Sequence, residues 1–460
     1  MADFDYGSLS LWLASLDDPL APRAPLQGVE EADVAIVGAG FSGLWTAYYL
    51  SGLRPDLHIA IVEAEIAGFG ASGRNGGWAT GGLSGIEGLL ARPDRRERGL
   101  ALQRAVFDAV DEIGRVSRAE GIDCDYAKGG SIHVARTQAQ LEASRGHLAQ
   151  AAEWGLGPSD YEWLEPEACA RHARIAGTLG GAFTPHCAAL DPARLARGLA
   201  ACVEARGVRI FEQSPVGSIA PGEVVARGGR VRARIAIRAT EAYTGSIAGH
   251  ARSLVPLHSM MIATEPLPDE VWKQIGLDER QTFGDDRRVV IYGQRTADGR
   301  IAFGGRAGYR FGSGIEDSFR ADDPRFEQIR RALVGLFPAL ADVAITHRWG
   351  GPLGVPRGWC PSVGLDSKTG LGWLGGYVGQ GVAASNLAGR TLADLVAGEQ
   401  TDRTRLPWVD APLGTWEPEP MRWLAVRSLM ALGESADRAE AEHGRTPRLR
   451  AAIFDRLVGR

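Results

Sequence analysis

A glycine-rich turn near the N-terminus could hold the phosphates of a dinucleotide. The apolar segment Ala32–Val37 leads into Gly38-Ala39-Gly40-Phe41-Ser42-Gly43, a G-x-G-x-x-G pattern that precedes an apolar helical run. In this context the first glycine permits a tight turn, the second lets the backbone approach a pyrophosphate, and the third lets the helix pack against the strand. The N–H groups at the start of that helix would bind the phosphates.

A carboxylate follows at the spacing expected for ribose recognition. The second strand, Ile59–Val62, ends at Glu63, twenty residues after Gly43, where it can accept hydrogen bonds from ribose hydroxyls. Its charge would repel a 2′-phosphate, which disfavours NADP. The same glycine pattern recurs from Gly68 and from Gly370. Only the first copy has both a strand before it and a helix after it, so only that copy predicts a dinucleotide site.

The elements that position this turn predict a parallel sheet with helices. A β-α-β unit over roughly 32–64 starts the sheet. Further along, Asp191 can cap a helix that has Pro192 at its first position and runs to about Ala205. This helix and the strand after it would continue the same parallel sheet, after an intervening segment that belongs to another part of the fold.

A second region of the chain predicts antiparallel structure. The strands Val289–Gln294 and Ile301–Gly305 flank Asp298-Gly299, a two-residue hairpin signal. With that loop, Tyr292 lies opposite Gly305, which leaves room for its ring to project. We therefore predict that Tyr292 faces a substrate, against the alternative that it is a core aromatic residue.

The composition excludes several classes of partner. The 460 residues carry a net charge of −5, with 45% hydrophobic and 23% charged residues, so nothing favours binding to nucleic acid or an anionic membrane. No apolar segment reaches the ~20 residues that span a bilayer. The five cysteines form no CxxC motif and the nine histidines show no ligand spacing. We therefore expect no disulfide framework, no metal and a cytoplasmic location.

Four segments together resemble the FAD-dependent oxidoreductases of the D-amino-acid-oxidase type, especially the gamma-glutamylputrescine oxidoreductase branch. They are the glycine turn with Glu63, Ala71–Gly77, Ala239–Thr244 and Gly375–Val382, and the resemblance spans about 32–398. In the second segment, glycines let several backbone N–H groups turn toward the pyrophosphate and the ring edge, and Arg74 adds a positive charge. In the last, a helix N-terminus can stabilise the reduced flavin by about 0.3–1 kcal/mol.

The resemblance implies bound FAD. Covalently linked relatives carry a cysteine at the place of Gly350, and the nearest cysteine here, Cys360, lies about ten residues beyond it, so we expect the FAD to be non-covalent. The FAD-binding residues that the resemblance implies are Gly38, Gly40, Phe41, Ser42, Gly43, Glu63, Ala64, Ser72, Arg74, Asn75, Gly76, Gly77, Val216, Thr240, Gly376, Gly379, Gln380, Gly381 and Val382.

The elements and the resemblance predict an α/β fold in which two domains are intertwined. One is a Rossmann-like FAD-binding domain with a parallel sheet and helices, and the other is an antiparallel-sheet substrate domain. We assign 1–88, 155–251 and 350–406 to the FAD-binding domain, 89–154 and 252–349 to the substrate domain, and 407–460 to a C-terminal helical tail.

The implied reaction oxidises the C–N bond of an amine or amino acid to an imine by hydride transfer to flavin N5. We expect oxygen as the acceptor and hydrogen peroxide as the product. Relatives commonly have histidine at the position of Gln380, and sarcosine oxidases have a lysine that falls near Ala383, so this chain lacks both cations. The alternatives are an FAD-dependent amine dehydrogenase that uses a quinone or protein acceptor, and a flavin-binding protein without turnover.

Two further side chains are candidates for the substrate pocket. Trp349 lies beside glycines where the chain would re-enter the FAD-binding domain; it could wall the active site or pack in the core. Gln380 could hydrogen-bond the flavin or the substrate, but as an amide it cannot act as a base. With Tyr292, these residues make up the predicted pocket.

Overall fold

The computed structural model of this chain describes residues 5–443 and Ile453, with the backbone alone at 306–307 and 441–443. Most of its strands belong to two large sheets. The strands are β1 (Gly28–Val37), β2 (Ile59–Val62), β3 (Trp78–Thr80), β4 (Ser131–Ala135), β5 (Glu162–Leu164), β6 (Gly180–Thr184), β7 (Cys187–Ala189), β8 (Arg209–Phe211), β9 (Val216–Ala220), β10 (Glu223–Ala226), β11 (Gly229–Arg238), β12 (Val255–Thr264), β13 (Thr282–Asp285), β14 (Ile291–Arg295), β15 (Ile301–Tyr309), β16 (Ile345–Val355), β17 (Ser362–Asp366) and β18 (Leu371–Gly375).

Helices pack against the sheets, and the long helix α11 (Met421–His443) follows the last strand. Asp191 accepts hydrogen bonds from the N–H groups of Ala193 and Arg194 at the start of the predicted helix, which ends at Ala205 as expected. The helices are α1 (Leu11–Ala14), α2 (Phe41–Leu53), α3 (Glu87–Leu90), α4 (Arg96–Ala119), α5 (Gln138–Trp154), α6 (Pro166–His172), α7 (Pro192–Ala205), α8 (Asp269–Ile275), α9 (Pro324–Leu336), α10 (Gly381–Ala397) and α11 (Met421–His443).

The first sheet contains the glycine turn. Its order is β17-β18-β11-β1-β2-β8, and β10 and β9 extend it from β11. Strand β1 pairs in parallel with both β2 and β11, and its residues Val34–Val37 are buried. An unbroken apolar run is typical of a parallel strand that helices cover on both faces. The predicted Rossmann-like sheet is therefore confirmed.

The second sheet is mostly antiparallel, with the order β16-β12-β15-β14-β13-β4-β6-β5. Its core is rich in aromatic rings: Phe283 stacks on Phe303 at 6.0 Å and meets the edge of Phe337 at 5.1 Å. Rings packed in this way favour offset and edge contacts. This sheet confirms the predicted antiparallel region.

Sheet membership differs from two of the predicted domain boundaries. Strands β5 and β6, within the range 155–251, pair with each other and with β4 in the second sheet. Helix α4, within 89–154, packs in the core of the first sheet through Val106, Val110 and Ile113. Sheet pairing and helix packing therefore do not follow the predicted division at these two places, and the division itself stays a prediction. The strands are too short for a clear sequence signal, and the apolar face of a helix does not reveal which sheet it covers.

The predicted hairpin forms with a different register. Tyr292 pairs with Gly304 rather than Gly305. The loop has one more residue than expected, and Gly299 at its end has a φ of +77°. A three-residue loop that ends in the left-handed region is a common alternative to the two-residue turn.

The predicted C-terminal tail includes helix α11, and residues 444–452 and 454–460 lie outside the described part. Among all the residues that the structure describes, no helix combines the length and the apolar character that crossing a membrane requires.

Candidate active site

A cavity of about 790 Å³ is lined by residues of both sheets. Its size falls within the range of small-molecule and cofactor sites. Of the residues that the sequence predicts, Gly43, Gly77, Gly376 and Trp349 do not line it. The predicted residues that do line it are Gly38, Gly40, Phe41, Ser42, Glu63, Ala64, Ser72, Arg74, Asn75, Gly76, Val216, Thr240, Tyr292, Gly379, Gln380, Gly381 and Val382.

Each glycine of the first turn occupies a position that a side chain would disturb. Gly38 has a φ of +106°, and a Cβ there would lie 2.6 Å from the Ala239 carbonyl oxygen. A Cβ on Gly43 would lie 2.0 Å from the Gly38 carbonyl oxygen, so this glycine permits the helix to approach the strand. Gly40 borders the cavity, where a Cβ would lie 2.9 Å from Ser72 Oγ. The turn therefore brings bare backbone to the cavity surface.

Glu63 extends its carboxylate across the end of the first sheet. The carboxylate accepts the Ala39 N–H at 2.7 Å and the Glu65 N–H at 3.0 Å. Burial raises the pKa of Glu63 to about 7, although both N–H groups oppose the shift. Donors from a bound ribose would stabilise the ionised form further.

Arg74 places a buried cation at the wall of the cavity. Its side chain is 2% exposed, and its Nε donates to the Phe69 carbonyl oxygen at 2.7 Å. Its Nη1 donates to the Asp317 carbonyl oxygen at 2.9 Å and to the Asp317 carboxylate at 3.1 Å. The buried Nη2 has no hydrogen-bond partner among the described residues. One strong donor therefore remains for a ligand.

Glu241 holds in place the second glycine-rich loop, which belongs to the segment Gly375–Val382. Its carboxylate accepts three backbone N–H groups, from Gly354 at 2.8 Å, Gly376 at 2.9 Å and Tyr377 at 3.0 Å. Burial raises the pKa of Glu241, and these three donors oppose the shift. The N–H of Gly376, which does not line the cavity, thus helps to fix the loop that presents Gly379 and the start of α10 to the cavity.

These features fit an extended, anionic cofactor such as FAD. The first turn offers bare backbone and a helix N-terminus, which suit a pyrophosphate. Arg74 Nη2 and Gln380 Oε1 are buried polar atoms at the cavity wall without partners in the described part of the chain. The family profile described as FAD dependent oxidoreductase matches residues 33–395. The chain belongs to this family.

Curated relatives of this FAD-dependent oxidoreductase support the same assignment. It is 29% identical to the gamma-glutamylputrescine oxidoreductase of Escherichia coli over 398 residues, which cover 85% of this chain and 89% of the relative. It is also 29% identical to the probable oxidoreductase OrdL of Haemophilus influenzae over 396 residues, with 82% and 85% coverage. The predicted resemblance is therefore confirmed.

Solved structures of an oxidase and a dehydrogenase share the fold. Glycine oxidase from Geobacillus kaustophilus superposes with a TM-score of 0.68 at 19% identity, over 81% of this chain and 96% of that chain. L-proline dehydrogenase from P. horikoshii gives a TM-score of 0.67 at 16% identity, with 83% and 96% coverage. The predicted combination of a Rossmann-like domain and an antiparallel-sheet domain is confirmed.

Tyr292 lies at the cavity wall of this oxidoreductase. Its ring stacks on Trp78 at 5.5 Å and covers Gly76, where a Cβ would lie 2.6 Å from the ring. Its hydroxyl and that of Ser259 are 2.6 Å apart, and Ser259 also donates to the Gly305 carbonyl oxygen at 3.0 Å. Gly76 thus brings the loop Ala71–Gly77, called the flavin loop for its predicted role, against an aromatic wall formed by Tyr292 of the second sheet.

Trp349 does not wall the cavity, contrary to the prediction. It is 2% exposed, its indole N–H donates to the Arg74 carbonyl oxygen at 2.9 Å, and its ring meets the edge of Trp12 at 6.3 Å. Its neighbouring glycines admit the backbone of β16, and its ring fills the core beneath the flavin loop. Core packing, the alternative from the sequence, is the observed role.

Further side chains that hold the flavin loop gave no sequence signal for that role. Ser10 donates to the Gly73 carbonyl oxygen at 2.7 Å, and Trp12 donates to that of Asn75 at 2.8 Å. From the second sheet, the buried amide of Gln294 donates to the Gly76 carbonyl oxygen at 2.8 Å. The N-terminal arm and β14 therefore fix the loop from two sides. These contacts join residues far apart in sequence, so no local pattern reveals them.

We expect Trp349→Phe to destabilise the protein rather than to alter substrate binding. The change leaves the buried Arg74 carbonyl oxygen without its donor and removes part of a packed ring, which together cost about 1–3 kcal/mol. Thermal unfolding should show a lower Tm, and Trp163→Phe, which affects a half-buried indole bonded to exposed Glu165, should change it little. Wild-type stability with an altered substrate affinity would contradict this assignment.

Proposed function

We propose that this enzyme oxidises the C–N bond of a small amine or amino acid to an imine, with oxygen as the acceptor and hydrogen peroxide as the product. The observation that carries the proposal is the meeting of the flavin loop at Gly76 with the aromatic wall at Tyr292 in one cavity. The name of the Escherichia coli relative supports an amine substrate. When bound, FAD supplies the site that accepts the hydride.

The residues of the cavity position the substrate and exclude water. The faces of Tyr292 and Trp78 offer an apolar surface for the carbon chain next to the reacting amine. The amine must be unprotonated when it reacts, because its lone pair supports departure of the hydride from the neighbouring carbon. The imine product then hydrolyses in water.

We propose non-covalent FAD and a cytoplasmic enzyme. All five cysteines lie in the described part of the chain, all are free, and none lines the cavity. Cys360 instead points toward the Gly85 carbonyl oxygen at 3.6 Å. Acid precipitation should release all of the flavin into the supernatant; a coloured pellet would contradict this. Five free thiols also suit a reducing compartment.

The electron acceptor can be tested separately from the substrate. No lysine lines the cavity in the described residues, and Gln380 is neutral, so the cation beside the flavin loop that oxygen would meet is Arg74. Enzyme reduced without air should be mixed with oxygen or with a soluble quinone. Faster reoxidation by oxygen supports an oxidase, whereas reoxidation by the quinone alone favours the dehydrogenase alternative.

We expect Tyr292→Phe to slow reduction of the bound flavin by substrate by about ten- to a hundredfold. The ring stays stacked on Trp78, but loss of the hydroxyl removes its hydrogen bond to Ser259 and a polar contact for the substrate, and small errors of orientation are costly. Anaerobic rapid mixing measures this rate. The matched control is Tyr126→Phe, which removes a hydroxyl bonded to the Val110 carbonyl oxygen away from the cavity. Equal rates in both variants would reject the role of Tyr292.

A further inference from the structure

The cavity continues into a polar lobe at the end of the second sheet. The lobe is lined by His133, Ser144, His147, Asp286 and Val290. His133 on β4 and Tyr292 on β14 are separated by β13 alone, so two strand spacings, roughly 10 Å, lie between them. Trp78 contacts both rings, at 6.3 Å from His133 and 5.5 Å from Tyr292. An aromatic surface therefore connects the flavin loop to the lobe.

The arginines of the lobe already have carboxylate partners. Arg287 forms a two-point ion pair with Asp285, at 2.6 and 2.5 Å. Arg288 contacts Glu440 at 2.9 Å and Asp437 at 3.4 Å. These pairs leave Asp286 as a carboxylate that forms no ion pair with an arginine or lysine in the described part of the chain.

Asp286 has an unsatisfied oxygen. Its Oδ2 atom is buried and has no hydrogen-bond partner in the described part of the chain. Burial raises the pKa of Asp286 and the neighbouring Asp285 raises it further, whereas His133, Ser144 and His147 act in the opposite direction. A buried carboxylate without a strong donor is costly, and a cation would offset that cost.

The C-terminal helix fixes the loop that carries Asp286. On α11, the carboxylate of Asp437 accepts the N–H groups of Arg288 at 3.0 Å and Val289 at 2.8 Å. The loop is therefore held on one side by β13 and on the other by α11. A site that is already ordered loses little conformational entropy when a ligand binds.

We propose that Asp286 binds a second cationic group of the substrate, which makes the substrate a diamine or polyamine. One amine lies at the flavin loop, the methylene chain runs along the faces of Tyr292 and Trp78, and the distal ammonium donates to Asp286 Oδ2. Charge-assisted hydrogen bonds of this kind are among the stronger ones in proteins. This inference rests on the proposed function, because it names the substrate class of the same cavity.

Three probes of equal chain length test the proposal on the FAD-loaded enzyme: pentylamine, 1,5-diaminopentane and 5-aminopentanoate. We expect the diamine to bind most tightly and the carboxylate-ended probe most weakly. In Asp286→Asn, the preference for the diamine over pentylamine should fall by at least about tenfold. Calorimetry on enzyme whose flavin has been reduced beforehand, under anaerobic conditions, measures each affinity without turnover. The control Asp278→Asn removes an exposed carboxylate, 78% exposed, outside the cavity and should keep the preference.

The outcomes separate this inference from the proposed function. Diamine binding that depends on Asp286 without flavin reduction by any amine supports the site and overturns the proposed reaction. Equal affinity for diamine and monoamine, or a preference that survives in Asp286→Asn, overturns the site even if amines reduce the flavin. Failure of Asp286→Asn to fold would overturn the proposal too, since the amide keeps the shape of the side chain and an oxygen for Ser144, so loss of the fold would show that the charge serves the fold rather than a ligand.

Discussion

Gly40→Val should yield a folded protein that no longer retains FAD. Gly40 precedes α2 with a φ of −82°, which valine adopts without strain. Its Cβ would lie 2.9 Å from Ser72 Oγ at the cavity surface, and the two further methyl groups would occupy the space that suits a pyrophosphate. Overpacking of this size costs about 1–3 kcal/mol, and the lost phosphate contacts add to it, so FAD affinity should fall at least about a hundredfold.

The ratio of flavin to protein after purification measures this effect, together with the Tm. Gly146→Val is the matched control, because Gly146 is exposed on α5 and a Cβ there meets no atom within 4 Å. A folded Gly40→Val protein with a full complement of FAD would show that the cofactor does not bind at this turn.

Glu241→Ala should have the second large effect. The change leaves three backbone N–H groups without their acceptor, those of Gly354, Gly376 and Tyr377. Each unsatisfied donor costs about 1–3 kcal/mol where water cannot replace the carboxylate. We therefore expect a marked fall in Tm and loss of FAD, because the loop before α10 would no longer be held against β16.

Glu241→Gln should have an effect intermediate between wild type and Glu241→Ala. Its single amide oxygen can replace only part of the carboxylate, so Tm and FAD content should lie between those of wild type and Glu241→Ala. The control Glu270→Ala removes a carboxylate that is 80% exposed and paired with Lys273 on α8; it should behave like wild type. If Glu241→Ala kept wild-type stability and FAD, the role given to this carboxylate would be wrong.

The parts of the site that the sequence predicts are those encoded by neighbouring residues. The turn from Gly38 to Gly43 depends on three glycines within six consecutive residues of one strand-turn-helix unit, so their spacing predicts the observed geometry. The start of α7 is equally local, since Asp191 and Pro192 supply a cap and a first residue with a fixed φ.

Other features of the site depend on tertiary contacts, and the sequence predicts them wrongly or not at all. The hairpin register changed because the loop before Ile301 takes one more residue, and a shift of one residue moves side chains to the other face of the sheet. Trp349 is a core residue because its indole finds the Arg74 carbonyl oxygen, 275 residues away in sequence. Glu241 was part of a recognised segment, but its three donors come from loops distant in sequence.

The visible absorption of the bound flavin under anaerobic conditions shows whether this FAD-dependent enzyme oxidises an amine. Purified enzyme should be mixed with a panel of monoamines, diamines and amino acids, and the carbonyl product should be quantified. We predict that the flavin band bleaches with at least one amine and that one carbonyl product forms per flavin reduced. A flavin that stays oxidised with every amine and amino acid would contradict the proposed oxidation of an amine by this enzyme.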